Sequence, residues 1–322
     1  MPQIQIMNMQ DAATLGFLQR NFERIDTEIN RNVYPEITYN QLVPVDSSGD
    51  PWTQVVRYFS HAEYGAANWI NGNADDIPLA GITRTSATTQ VHLAAIGYGW
   101  GLEEINIAQR MGVDLNGEDA AAARLAAEQM TQAVAMVGDP VKGFTGIFNA
   151  AGVPTSTATY DWTDFANVTN AQVISEFNAL LMFIPNQTNQ STQANTVILP
   201  LSDWNALAQR TIAVGAGGSI EVVGGNLLQW LMSNNIYTAT TGQQIVIRAD
   251  KALETAGAGG TKRKVVYRRD PQVLKMYIPM PHQFLGVFQP GPLRYEVPGI
   301  MRLGGVNVRR PQEMHYMDGD GA

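Results

Sequence analysis

DLNGEDAAAARLAAEQMTQAVAMVGDP, residues 114–140, is the stretch that decides how the rest of the chain is read. Asp114 or Asn116 can cap a helix start, and Glu118 and Asp119 fall in the first turn, where the helix dipole favours anions. Gly138 and Pro140 supply the stop. The helix between them runs about twenty residues, roughly 30 Å of rod. Its side chains are mostly small. Ala120, Ala121, Ala122, Ala123, Ala126, Ala127, Ala133 and Ala135 leave Leu125, Met130, Val134, Met136 and Val137 as the larger apolar groups. A rod this thin lets sheets or helices approach closely. Taken alone it also suits the core helix of an α/β enzyme. Glu118, Asp119, Arg124, Glu128, Gln129 and Gln132 exclude a membrane span.

Upstream, the pattern is of a different kind. Residues 11–31 place Leu15, Leu18, Phe22, Ile25 and Ile29 at helical spacing, an amphipathic helix that packs on its own domain or serves as an arm. Residues 33–52, with Pro35, Pro44 and Pro51, read as extended and irregular, which fits an arm better than a core. Val55, Val56, Tyr58 and Phe59 make an outgoing strand, and 88–98 a returning one. Between them lie Trp69, Ile70, a turn-rich 71–76 and Pro78. A lone two-stranded ribbon is marginal in water, so such a hairpin needs cover from its own body or from a second subunit. Residues 102–111 form a short helix before the rod.

Downstream comes a glycine-punctuated turn, Gly143 to Gly152, and a Thr- and Asp-rich connection to about Asn170. Helices are expected over 173–183, 202–210 (capped by Ser202) and 227–233, with strands over 196–199, 244–248 and 265–267. Residues 171–275 therefore read as a compact α/β subdomain, followed by a tail rich in proline and strand formers.

With 322 residues the chain can bury a large core. Cysteine is absent, which removes disulfides, thiolate metal sites and Cys nucleophiles together. No apolar run precedes Arg20, so a secretory signal is not expected. The net charge of −8 is unevenly spread. Residues 1–141 carry seven Arg and no Lys against seventeen acids. Residues 248–310 carry twelve basic groups, Arg248, Lys251, Lys262, Arg263, Lys264, Arg268, Arg269, Lys275, Arg294, Arg302, Arg309 and Arg310, against four acids. Either the basic part binds nucleic acid, or it pairs with the acidic part within or between copies. Pairing is favoured, because the overall acidity opposes a polyanion.

The search for chemistry fails. His61, His92, His282 and His315 have no partners at metal or triad spacing. Gly215–Ser219 lacks the third glycine of a dinucleotide loop, and Gly257–Lys262 has the wrong order for a phosphate loop. Both read as loop tips. Asp318-Gly319-Asp320-Gly321 is a fragment of a calcium loop at a frayed terminus. The basic run 262–269 reads as a solvated hairpin, with a subunit contact next. No catalytic, cofactor-binding or metal-ligating residue is assigned, and no cofactor. A chain with an arm, an uncovered hairpin and split charge looks made to bind copies of itself.

In order, the arm, long hairpin, rod, Gly146-Ile147-Phe148-Asn149 turn, α/β subdomain and returning strands resemble a phage major capsid protein of the Hong Kong 97 type. The likeness covers nearly the whole chain and is sharpest at Gly304-Gly305-Val306-Asn307-Val308-Arg309-Arg310-Pro311. The resemblance implies an α+β chain with the HK97-like fold. Residues 1–52 would be the N-arm, 53–99 the extended loop, 100–165 with 276–322 the peripheral domain, and 166–275 the axial domain. It implies a non-enzymatic shell subunit forming homo-pentamers and homo-hexamers of an icosahedral capsid around double-stranded DNA, bound without sequence specificity. Expected partners are a separate scaffolding protein, a portal and decoration proteins, with no membrane. Its place would be the virion, after assembly in the bacterial host cytoplasm. An encapsulin-like shell around protein cargo is the alternative, and a soluble α/β enzyme a distant one. The hairpin has no lysine, so the covalent cross-linking of the prototype is not expected.

Overall fold

The rod spans Leu115–Met136, close to its expected length. We analysed a computed structural model that describes residues 36–70, 72, 77–111, 115–213 and 222–321. The amphipathic stretch 11–31, Asp114 and the Gly215–Ser219 loop lie outside these residues; Asn116 lies inside the helix. The rod's buried stripe is Ala123, Ala127, Val134, Ala135 and Met136, while Met130 and Val137 face solvent.

What ends the rod is a compact cap. Gly138 takes a left-handed φ of 87°, and the chain returns as the Gly146–Asn149 turn. The Ile147 and Phe148 amides donate to the Ala135 and Met136 carbonyls, at 2.9 and 3.0 Å. Asn149 accepts from the Gly146 amide through Oδ1 and donates from Nδ2 to the Val137 carbonyl. Three carbonyls of the last turn thus gain partners that the helix itself cannot supply. A Cβ at Gly146 would run into the Met136 carbonyl.

The rod packs on a four-stranded sheet ordered Val45–Asp46, Leu274–Phe284, Gly299–Val308, His92–Ala95. Leu274, Met276, Ile278, Met301, Leu303 and Val306 meet the rod's alanine stripe in one core. A second sheet of five strands is ordered Val246–Asp250, Thr196–Pro200, Arg263–Tyr267, Met314–Asp318, Thr155–Thr157. Helices Asn170–Gln187, Leu201–Gln209, Leu227–Ser233 and Ile236–Thr241 accompany it. Side chains alternate along its strands. Ile198, Val265, Tyr267, Met314 and Tyr316 enter the rod's core. Val197, Leu199, Val266 and Met317 enter a second core with Trp162, Phe177 and Leu180. The sheet is therefore a wall shared by two cores, and residues 37–322 form one unit.

Several expectations change. The tail after 276 divides between the two sheets: its long strands join the first, and Met314–Asp318 joins the second. Residues 38–46 pack on the body instead of running free. Leu42 and Val43 are buried, and the Leu42 carbonyl accepts from the Tyr267 hydroxyl. Gln132 of the rod accepts from the Thr38 and Tyr39 amides, and Asp46 pairs with Lys275 at 2.9 Å. Burial, then the neighbouring Glu128, pushes the Tyr39 hydroxyl up to about 12. Ser202 is no cap: its amide and hydroxyl bond to Glu254. The connection before Asn170 is pinned from inside. Buried Glu176 accepts from the Thr159 and Tyr160 amides and from the Trp162 indole. Buried Arg210 donates to the carbonyls of Trp162, Asp164 and Val168.

Gly146→Ala is expected to cost more than about 2 kcal/mol, since a backbone carbonyl must move or lose its bond. Urea unfolding of the unassembled subunit measures this, and a loss below about 0.5 kcal/mol would rule out the tight cap. His315 is fully buried, its ring stacked on Phe183 and its Nε2 2.8 Å from the Ser156 hydroxyl. Burial lowers its pKa from 6.5 to about 4, against the pull of Asp318. The neutral ring is the folded form. Its stabilisation is full above pH 6.5 and drains as pH falls towards 4, by on the order of 2–3 kcal/mol. His315→Gln should flatten unfolding free energy over that window; an unchanged slope would contradict the assignment.

Candidate assembly interface

The long hairpin pairs Val55–Tyr64 with Gly81–Gln90, antiparallel and without a bulge, from Val55↔Gln90 to Tyr64↔Gly81. Ten residues per strand reach about 33 Å. Its backbone is paired, but its side chains have little to rest on. Phe59, Tyr64, Ile70, Ile77 and Ile82 are more than half exposed, Leu79 is 86% exposed and Trp69 is fully exposed. The outgoing strand is longer than expected. The return splits into three strands, Gly81–Gln90, His92–Ala95 and Tyr98–Gly101, so that only the first belongs to the ribbon.

The root of the hairpin is held by the Gly304–Pro311 motif, most of whose residues have a physical task. A Cβ at Gly304 would press on Val91 and the Gln90 carbonyl, and one at Gly305 on the Phe144 ring. Val306 fills the rod's core. Asn307 donates to the Thr89 hydroxyl. Arg309 lies 5.1 Å over the Tyr58 ring and donates to the Tyr277 hydroxyl. Arg310 pairs with Glu313. Arg302, earlier on the same strand, donates to the Thr53 carbonyl and faces the Trp52 ring. The motif's glycines make space, and its Asn307 and Arg309, with Arg302 earlier on the strand, clamp the root of the ribbon. A cleft of about 440 Å³ at this root is lined by Tyr58, Thr89, Lys142, Phe144 and Asn307.

The basic segment is spent mostly inside the subunit. Arg263 forms a two-pronged pair with Asp318. Lys264, fully buried, lies 3.3 Å from Asp203 and 4.3 Å from the Trp162 ring, and Lys262 reaches Asp203 and Asp320. Burial pushes the Asp203 carboxyl up, against the pull of both lysines. Arg268 pairs with Asp270 and Glu313, Arg294 with Glu296, and Arg269 donates to the Asn40 carbonyl. Arg248 and Lys251 remain exposed. The run 262–269 is thus no solvated hairpin, because Arg263–Tyr267 is an inner strand of the five-stranded sheet. Among the described ion pairs, Asp46 is the one acid from residues 1–141 that meets this segment.

Other stretches singled out in the sequence have partners inside the subunit, among the described residues. In the Gly257–Lys262 loop the Ala258 amide donates to the Asp318 carboxylate, which fills the place an anion would take. Asp318 and Asp320 are tied to Arg263 and Lys262, so this end is structured, not frayed. His61 stands on the exposed hairpin, His92 packs 5.4 Å from the Phe144 ring and His282 bonds to the Ile96 carbonyl. Among the described residues there is no cluster of metal-ligand type, and no helix long and apolar enough to cross a membrane.

A rigid body with a clamped, uncovered ribbon defines a structural subunit made to be completed by others. Comparison with known proteins fixes the class. The model of the major capsid protein family matches residues 65–319. The chain belongs to that family and is a major capsid protein of phage heads, a virion component. No curated protein sequence matches it. Solved structures share the fold. The capsid protein of Myoviridae phage XM1 is 18% identical with a TM-score of 0.75, covering 93% of this chain and 97% of that one. A chain from Mycobacterium phage Bobi is 13% identical with a TM-score of 0.61, covering 99% and 100%. The capsid of the native GTA particle gives 12%, 0.62, 98% and 99%. These neighbours are phage-type capsids, not encapsulins or enzymes, and the HK97-like α+β architecture follows.

Replacing Trp69 and Ile70 together with Ser is expected to remove about 3–6 kcal/mol of burial per subunit on assembly. The isolated subunit should unfold at the wild-type denaturant midpoint while particle formation fails. A lowered midpoint in the isolated subunit would instead place both side chains against their own body.

Proposed function

We propose that the chain assembles into pentamers and hexamers of an icosahedral shell enclosing double-stranded DNA. The observation that carries this is the full exposure of Trp69 at the end of a paired ribbon. A single copy cannot cover it, and neighbours in a ring can. Residues 53–99 act as the extended loop reaching a neighbouring subunit. The rod and the four-stranded sheet form the peripheral part, and the helices around the five-stranded sheet the axial part, with Met314–Asp318 counted in the latter. DNA is held by enclosure and without sequence specificity, since most cations of 248–310 already have partners in their own subunit. A separate scaffolding protein and a portal complete assembly in the host cytoplasm, and decoration proteins bind the finished surface.

No lysine lies in 53–99. Lys262, Lys264 and Lys275 are held in ion pairs, which occupy their amines within their own subunit. The shell is held by burial alone. Sedimentation and electron microscopy of the purified chain, with and without its scaffolding protein, test the proposal. Capsomers or shells that dissociate on boiling to one band near 35.1 kDa are expected. A monomer or dimer under every condition would sink the shell, and a boiling-resistant ladder would sink its non-covalent character.

A further inference from the structure

Helix Asn170–Gln187 carries Pro185 in its last turn. Proline has no N–H to give, so the Leu181 carbonyl loses the bond that would close its turn, and the proline ring pushes that carbonyl aside. The chain then reverses through Asn189 and Gln190, two successive non-glycine residues in the left-handed region, at φ 50° and 61°. Gln190 donates its amide to the Pro185 carbonyl at 2.7 Å, which pins the reversal against the helix. Left-handed backbone without glycine persists where the surroundings hold it, and such places are often ligand sites.

Between this reversal and helix Ile236–Thr241 lies a cavity of about 360 Å³. Most of its wall is apolar, made by Leu181, Met182, Pro185, Ala194, Ile236 and Tyr237, and no charged residue lines it. Its polar groups are unevenly matched. The Tyr237 hydroxyl is committed to Gln243, and the Thr240 hydroxyl to the Ile236 carbonyl. Gln193 also lines the cavity, and its Oε1 is buried without a hydrogen-bond partner among the described residues. With the Leu181 carbonyl, the site holds acceptors and lacks donors. Water fills such a space poorly, because each molecule needs about two to four polar partners and an apolar wall offers few.

We propose that this cavity binds a small neutral aromatic molecule carrying an N–H or O–H donor, of the indole or phenol class. Each part of that description has a cause. A charge would be buried without a counter-charge, so the ligand is neutral. An apolar body covers the walls, and the Met182 thioether favours a ring. A donor pairs the Gln193 oxygen, which is otherwise desolvated without return. At about the 30 Å³ that a water occupies in the liquid, the space holds roughly a dozen non-hydrogen atoms, enough for a two-ring molecule. The site is complete within one subunit, so it stands apart from the shell reading.

Titration calorimetry of the full-length chain compares indole with 1-methylindole, which keeps the rings and lacks the donor. Indole is expected to bind about tenfold tighter or more, the effect of one buried acceptor left unpaired. Gln193→Met keeps the side chain's length and removes its oxygen. It should weaken indole by about tenfold, leave 1-methylindole within about twofold, and raise the urea midpoint of the ligand-free chain, since a buried unpaired acceptor is gone. Thr240→Trp, on the exposed part of the lining, should abolish binding of both probes. Absence of indole binding to the wild-type chain at millimolar concentration overturns the site. Equal affinity for the two probes overturns the donor requirement, and a lowered midpoint in Gln193→Met would show that its oxygen is paired in the folded chain. Indole binding unchanged in Thr240→Trp would place the ligand elsewhere and overturn the assignment.

Discussion

The clamp between the Gly304–Pro311 strand and the root of the long hairpin is the constraint on which the rest depends. A two-stranded ribbon of ten residue pairs has complete backbone bonding and almost no core, and alone in water it is marginal. Arg309 over Tyr58, Asn307 on Thr89 and Arg302 on the Thr53 carbonyl fix the direction in which it leaves the body. The ribbon can then stay open at its far end without losing its aim. Polar clamps suit this place, because they tolerate partial solvation where an apolar contact would be weakened.

Rigidity at the root requires rigidity behind it. The clamp strand lies between Leu274–Phe284 and His92–Ala95, and its inner face meets the rod's alanine stripe. The rod is held at its end by the Asn149 turn and along its side by Gln132, which grips residues 38 and 39. Behind it, the five-stranded sheet divides two cores with alternate side chains, so that neither core can shift without the other. The buried Lys264–Asp203 pair sits in the second of these. Such pairs add little net stability, and losing one partner leaves an uncompensated charge, so they tie a fold to a single arrangement more than they strengthen it.

The rod, the hairpin and most of the α/β elements were legible in the sequence, because helical alanine runs, cap residues and alternating strands are local signals. The Gly146–Asn149 turn and the Gly304–Pro311 stretch were visible as motifs, but not what they do. Gly146 matters because of a carbonyl ten residues earlier, and Arg309 because of a ring at position 58. The basic run was misread for the same reason. In sequence it is a cluster of charge, and only the strand order shows Arg263 and Lys264 turned towards acids at 318 and 203. Residues 38–46 were misread because three prolines nearby imitate an irregular arm, while Leu42 and Val43 are held by partners far along the chain. The uncovered hairpin could be argued from composition, since its apolar groups lie in a ribbon too long for its own body.

The central claim is that the subunit folds by itself and that the hairpin is covered only by assembly. Hydrogen–deuterium exchange on the same protein before and after particle formation tests this most directly. Amides of residues 65–70 and 77–80 should exchange rapidly in the free subunit and slow by at least tenfold in particles. Those of Thr196–Pro200 and Arg263–Tyr267 should be equally slow in both. Equal protection of the hairpin in the two states would contradict the account.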